Sequence, residues 1–336
     1  MSKAAAAADT EKTIPETTNQ GAATMQQVPE TAKAVRFDHY GDRSVLYVAE
    51  IPVPQPGPGE VLVEVRAAGI NPGEVGIRSG GLHERWPATF PSGEGSDLAG
   101  VVLAVGDDVT DFAPGDEVLG YSWNRSSHAT HVTVPATQLI AKPAGLDWLT
   151  AGSLYVAGAT AWAAVNAVDP KPGETVVVSA AAGGVGSIVV QLLALRGVRT
   201  LGIASRSNAA WLEGLGVTLV EYGDTLADAL RAAAPDGIDA FIDLFGPQYV
   251  DLAVALGVNP DRIETIISFE KAAEVGAKTA GSVDGSTREV LTELAELLAD
   301  GRITIPIAAQ YPLDRVQDAF AELEQRHTHG KIVLVP

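Results

Sequence analysis

The stretch Val176-Val-Val-Ser-Ala-Ala-Ala-Gly183-Gly184-Val-Gly186-Ser-Ile constrains the fold of this chain more than any other part. A β-branched run ends, the chain turns through glycines, and an apolar helical pattern over residues 187–196 begins, stopping at Gly197. Further β segments at 200–204, 219–222, 238–244 and 263–268 follow, with helical segments at 208–216 and 226–234 between them. Such alternation predicts a parallel sheet with right-handed crossovers. The preceding residues have a different rhythm. Short β segments at 33–37, 61–67, 100–105, 117–121 and 131–135 are separated by turns such as Pro56-Gly57-Pro58-Gly59 and Pro114-Gly115-Asp116. They predict a partly open barrel or distorted sandwich. A helix at 287–299, a helix at 316–324 and a closing strand at 331–335 complete an α/β chain with a β-rich part and a doubly wound parallel sheet. Residues 1–32, rich in Ala, Thr, Glu and Gln without periodicity, read as a disordered or low-complexity arm.

Composition removes several chemistries. None of the 336 residues is cysteine, which excludes disulfides, thiolate zinc sites, iron–sulfur clusters and cysteine nucleophiles. With 23 basic against 42 acidic residues, a net charge of −19 argues against coating nucleic acid or an anionic membrane. No apolar run reaches the roughly 18 residues needed to span a bilayer, and the N-terminus carries no signal-peptide pattern, so a cytoplasmic protein is expected.

The glycine turn lets backbone approach a pyrophosphate lying on a helix N-terminus. From Ala180 through Gly183 to Gly186 the spacing is A-x-x-G-x-x-G, a weak signal alone but one that here opens a run of βα units. Residues Ala182, Gly183, Gly184, Val185 and Gly186 are therefore expected to hold a dinucleotide. Sites for NAD place an acidic residue about 20 positions further on; here that position is Arg206, within Ser205-Arg206-Ser207-Asn208. A guanidinium with neighbouring hydroxyls suits a 2′-phosphate, so Ser205, Arg206 and Asn208 point to NADP(H). The other reading of Arg206 is a solvated residue at a strand end.

Further markers are Lys33-Ala-Val-Arg-Phe, Pro58-Gly59-Glu60-Val61-Leu-Val, Asn71-Pro72, Gly95-Ser-Asp97-Leu-Ala-Gly100-Val-Val, Pro114-Gly-Asp116-Glu-Val, Gly158-Ala-Thr160-Ala-Trp and Gly330-Lys-Ile-Val-Leu. Together with the glycine turn, they make residues 33–336 resemble the medium-chain dehydrogenase/reductase superfamily, and within it the zinc-independent, zeta-crystallin-like quinone oxidoreductases. The resemblance implies a GroES-like catalytic domain at 33–151 and 280–336, split by a Rossmann NADP(H)-binding domain at 152–279. It also implies an active site in the cleft and a homodimer formed by pairing Rossmann sheet edges. Zinc-dependent relatives have Cys and Gly-His-Glu ligands where this chain has Asn71 and Gly95-Ser96-Asp97, and their four-cysteine loop is absent. No metal is expected, and Asp97 reads as a structural carboxylate accepting hydrogen bonds in a turn.

The resemblance places Asn71 beside the nicotinamide, where its amide suits a developing oxyanion; an Asn-Pro turn that caps backbone is the alternative. It places Thr160 near the nicotinamide, or equally as a helix cap, and Tyr222 near the adenosine phosphate, or as a half-buried packing residue. Phe245, Gly246 and Ser268 lie past strand ends that meet cofactor, and Lys331 reads as a strand-edge charge. Similar enoyl-thioester reductases carry a tyrosine soon after the Asn71 region; residues 77–86 contain none. His83 is a lone loop histidine, which leaves Tyr121 and Tyr155 as catalytic candidates for the cleft. The pairs His128/His131 and His327/His329 lack completing ligands, and Asp116-Glu117 reads as fixing a loop.

Alcohol oxidation needs a group that lowers the hydroxyl pKa, and no such constellation stands out. Hydride delivery to an already polarised carbon asks less, because the resulting anion takes its proton from water. The expected activity is NADPH-dependent, zinc-free reduction of small-molecule quinones or of the C=C bond of α,β-unsaturated carbonyl compounds. An alcohol dehydrogenase or enoyl-thioester reductase on the same scaffold, and a non-catalytic NADPH-binding sensor, remain as alternatives.

Overall fold

A computed structural model describes residues 28–336. The expected arm therefore falls mostly outside the described residues. Its last residues do not follow the expectation, because the strand Thr31–Phe37 takes in Thr31 and a buried Ala32.

Five parallel strands form one sheet, in the order Thr218–Glu221, Arg199–Ala204, Thr175–Val178, Ala240–Asp243, Ile263–Thr265. Val176, Val177 and Val178 are wholly buried, as the central strand of a sheet covered on both faces must be. Val176 and Val178 face a core shared with the helices Tyr155–Val168, Gly184–Leu195 and Arg288–Ala299. Val177 faces the opposite one, with Leu230, Val250 and Ala253 from the helices Leu226–Ala233 and Pro247–Ala255. This is the expected doubly wound arrangement. Strand order reverses between Thr175–Val178 and Ala240–Asp243, and ligands bind such sheets beyond the carboxyl ends at that point.

The β-rich part is a seven-stranded sheet with a smaller three-stranded one beside it. Its long strand Glu60–Gly69 pairs antiparallel with Asp97–Val105 and His131–Pro135. The last strand, Lys331–Val335, also pairs antiparallel with Glu60–Gly69, and parallel with Ile307–Pro312. Just before it, the Gly330 N–H donates to the Ala182 carbonyl at 3.0 Å, so this strand starts on the glycine turn of the other sheet. Among the described residues no helix is long and apolar enough to cross a membrane.

Glu264 is buried in the strand Ile263–Thr265, and burial pushes its carboxyl up to about 8, with Asp284 adding to the effect. The folded state thus holds this proton between the ordinary carboxylate value and about 8, whereas the unfolded chain has released it. Stability conferred by the protonated group is full below that window and lost as pH rises through it. A Glu264→Gln variant is expected to gain on the parent steadily from about pH 5 to pH 8, by a few kcal/mol in all, and to run parallel to it above and below. Urea titrations at several pH values check this; a constant difference would contradict it.

Candidate nucleotide cleft and active site

At the carboxyl end of Thr175–Val178 the backbone turns sharply, with Ala180 in the left-handed region at φ +48°. Gly186 lies in the first turn of the Gly184–Leu195 helix, where a Cβ would stand 2.1 Å from the Ala180 carbonyl oxygen. Only glycine allows the turn to lie this close to the helix start. The leading N–H groups of that helix have no intrahelical acceptor, and with the positive end of its dipole they fit a pyrophosphate. Ala182 to Gly186 thus lie on this turn and the first residues of the helix.

Asp243 organises the other loops on this edge. Its Oδ1 accepts from the Ser179 hydroxyl at 2.9 Å and from the N–H groups of Phe245 and Gly246 at 2.9 and 3.1 Å. Its Oδ2 accepts from the hydroxyls of Thr265 and Ser268 at 2.8 and 3.2 Å. Ser268, expected to meet cofactor, is buried with its hydroxyl committed to this carboxylate.

At the end of the neighbouring strand, the Ser205 and Ser207 hydroxyls are 2.6 Å apart and Asn208 Nδ2 donates to Ser205 Oγ at 3.0 Å. Arg206 extends from this group into solvent, and its Nε and Nη2 donate to Glu221 Oε1 at 3.0 and 2.6 Å. The sequence showed no carboxylate at Arg206; the fold supplies one from the next strand. Tyr222 beside it is exposed, not half-buried.

A buried polar cluster lies where the glycine turn meets the β-rich sheet. The Lys331 ammonium donates to Asn71 Oδ1 at 2.5 Å, to Asp97 Oδ2 at 3.0 Å and to the Ile70 carbonyl at 3.1 Å. Its stem passes Gly184, where a Cβ would meet Lys331 Cδ at 3.0 Å. The expectation of a strand-edge charge is corrected: Lys331 is buried, because three internal oxygens replace its water shell. Asn71 Nδ2 donates to Glu74 Oε1 and to Asp97 Oδ2, both at 3.2 Å. Asp97 Oδ1 accepts the Val156 N–H at 2.7 Å; the carboxylate accepts hydrogen bonds as expected, although it opens the strand Asp97–Val105 instead of sitting in a turn. Burial, and next the Asp97 charge, push Glu74 up to about 7. His128 is buried near it and held down to about 4 by burial, hence neutral, with Nε2 3.3 Å from the Gly69 carbonyl.

Tyr121 and Tyr155 stack on one another at 3.9 Å between ring centroids. Because the Ser286 hydroxyl donates to the Ser282 carbonyl, the Tyr155 hydroxyl is left as donor to Ser286 Oγ, at 2.7 Å. The Tyr121 hydroxyl donates to the Ser286 carbonyl at 3.4 Å, and burial raises both tyrosines above their ordinary range. Thr160 lies inside the Tyr155–Val168 helix and donates to the Val156 carbonyl at 2.5 Å; it is not a cap.

Two family models match the chain: "Alcohol dehydrogenase GroES-like domain" over residues 57–154 and "Zinc-binding dehydrogenase" over residues 215–334. The quinone oxidoreductase of Coxiella burnetii superposes with a TM-score of 0.81 at 28% identity, covering 91% of this chain and 99% of that one. The NADPH-dependent alkenal/one oxidoreductase, chloroplastic, of Arabidopsis thaliana is 29% identical over 92% of this chain and 81% of its own. The synaptic vesicle membrane protein VAT-1 homolog of Rattus norvegicus is 31% identical over 320 residues, 84% of this chain and 78% of its own. The chain belongs to the medium-chain dehydrogenase/reductase superfamily.

Oxidoreductases of this superfamily work with a nicotinamide cofactor, which supplies or accepts hydride when bound. The glycine turn suits its pyrophosphate, because Gly186 lets the turn lie against the helix start and the leading N–H groups of the Gly184–Leu195 helix have no intrahelical acceptor. The zinc of the family description does not fit. The Lys331 ammonium already pairs with Asp97 and Asn71, and a divalent ion beside it would meet like charge with no thiolate to hold it. Among the described residues no set of three or more His, Cys, Asp or Glu side chains is placed to hold a metal.

The sequence reading missed Asp243, Glu221 and Ser286 as organisers of this medium-chain dehydrogenase/reductase cleft. Asp243 left a faint signal, as a lone acid ending an apolar strand. Lys331 gave none, since 234 positions separate it from Asp97.

Proposed function

We propose that the protein is an NADPH-dependent reductase of quinones or of the C=C bond of α,β-unsaturated carbonyl compounds. One observation carries this reading: the amide, ammonium and phenol donors at the centre of the cleft are bound within the protein. The Asn71 amide, the Lys331 ammonium and the two tyrosine hydroxyls all have protein acceptors. None of these four groups is left free to take the proton of an alcohol. An acceptor that is already polarised asks the chain only to orient it against the cofactor and to admit water as the proton source. Relatives named for quinone and alkenal/one reduction support the same class. The Arg206 guanidinium with the Ser205, Ser207 and Asn208 cluster supports NADPH over NADH. The reading takes 33–151 with 280–336 as the catalytic domain and 152–279 as the cofactor domain.

Initial rates with 2-alkenals, quinones and secondary alcohols test it. Reduction of at least one alkenal or quinone is expected to exceed every alcohol oxidation by more than tenfold. Alcohol oxidation outrunning all reductions would overturn the proposal, and tight NADPH binding with no acceptor turned over would favour the sensor.

A further inference from the structure

We propose that Glu221 sets the cofactor preference, as a carboxylate that competes with the nucleotide's 2′-phosphate for Arg206 and so holds down the advantage of NADPH over NADH. This rests on the NADPH reading above and adds a residue to it. Parallel pairing places Glu221 opposite Ala204, and two residues on from Ala204 the Arg206 side chain reaches back across the strand ends. Two donors of the guanidinium, Nε and Nη2, fall on the single oxygen Glu221 Oε1 at 3.0 and 2.6 Å. These form the edge with which arginine grips a phosphate, so the carboxylate and the phosphate cannot both hold it.

Exposure decides which one wins. The side chains are 82% and 45% exposed, and an ion pair so open to water is weak. A doubly charged 2′-phosphate flanked by the Ser205, Ser207 and Asn208 donors displaces the carboxylate. The displaced carboxylate remains well within a Debye length and repels the phosphate it has made way for. NADH carries no phosphate there and feels neither the attraction nor the repulsion.

The test is titration calorimetry on the full chain with NADPH, NADH and the fragment adenosine 2′,5′-bisphosphate. Glu221→Gln is expected to tighten NADPH and the bisphosphate by about three- to tenfold, to move NADH by less than twofold, and to lose most of its gain in 0.5 M salt, roughly a Debye length of a few Å. Unchanged NADPH and bisphosphate affinities would overturn the proposal. So would weakened NADH binding with NADPH untouched, because Glu221 would then be a ribose ligand. Arg206→Ala separates the underlying reading: a larger loss for NADPH than for NADH upholds it, and equal losses overturn the 2′-phosphate assignment whatever Glu221 does.

Discussion

Gly186→Ala is expected to lower affinity for either dinucleotide by more than tenfold and to lower the melting temperature, while Gly183→Ala leaves melting nearly unchanged. The contrast follows from what each new methyl group meets. At Gly186 it would stand 2.1 Å from the Ala180 oxygen and 2.9 Å from Ala181 Cα and its carbonyl carbon, all of them backbone. That backbone has nowhere to retreat. Ala180 is already left-handed, Ala181 and Ala182 are buried, and the Ala181 N–H is bound to the Ile203 carbonyl at 3.1 Å. The helix start must therefore move away from the turn, which spoils the close approach that phosphate binding needs. At Gly183 the nearest atom is 3.3 Å away and φ is −75°, which any residue adopts. Fluorescence titrations and thermal melts of both variants decide the matter. Normal binding by Gly186→Ala would place the pyrophosphate elsewhere.

Arg78→Met should destabilise the fold by about 1–3 kcal/mol at neutral pH, the range found when a buried hydrogen-bonding group loses its partner. Arg78 ends the Pro72–Arg78 helix and is wholly buried. Its Nη1 donates to Glu94 at 3.0 Å, its Nη2 to Glu324 at 3.1 Å, and its guanidinium stacks 4.5 Å from the Phe320 ring centroid. Burial, and next the Glu74 charge, hold Glu94 up at about 8 even with Arg78 beside it. Removing the arginine raises Glu94 further. A folded-state value raised above the unfolded one means stability lost as pH rises through it, so the deficit should widen above about pH 8. Adding Glu94→Gln should remove that widening and recover part of the loss. Urea midpoints across pH measure both effects; a deficit that shrinks with rising pH would contradict the argument.

What could be read from the chain depended on whether a feature was local. The strands Glu117–Tyr121, His131–Pro135 and Lys331–Val335 have the predicted ends, because alternation and flanking turn residues lie within a few positions of each other. The Tyr155–Val168 helix was expected only from Thr160 onward, five residues late: ten of its 14 residues are buried, so it has no polar stripe to mark a helical period. The glycine turn was legible for the same reason as the strands. The pairing of Asn71 with Asp97 and Lys331, and of Arg206 with Glu221, was not, since register and sheet closure bring them together. Tyr121 and Tyr155 were chosen without a motif, and their stacking follows from the pairing of Tyr121 with Asp97, whose carboxylate also holds the Val156 N–H.

The late return of Lys331–Val335 to Glu60–Gly69 has a consequence for the order of assembly. Lys331 and the Ile70 carbonyl it binds are 261 residues apart, whereas the five-stranded sheet is built wholly from the sequence between them. During synthesis that sheet can form while the β-rich one still waits for its final strand. Once folded, it draws the distant ends of its own insertion together, and the loop left to close is far shorter than the chain it contains. The nucleotide-binding unit thus serves as the template on which the other half is completed.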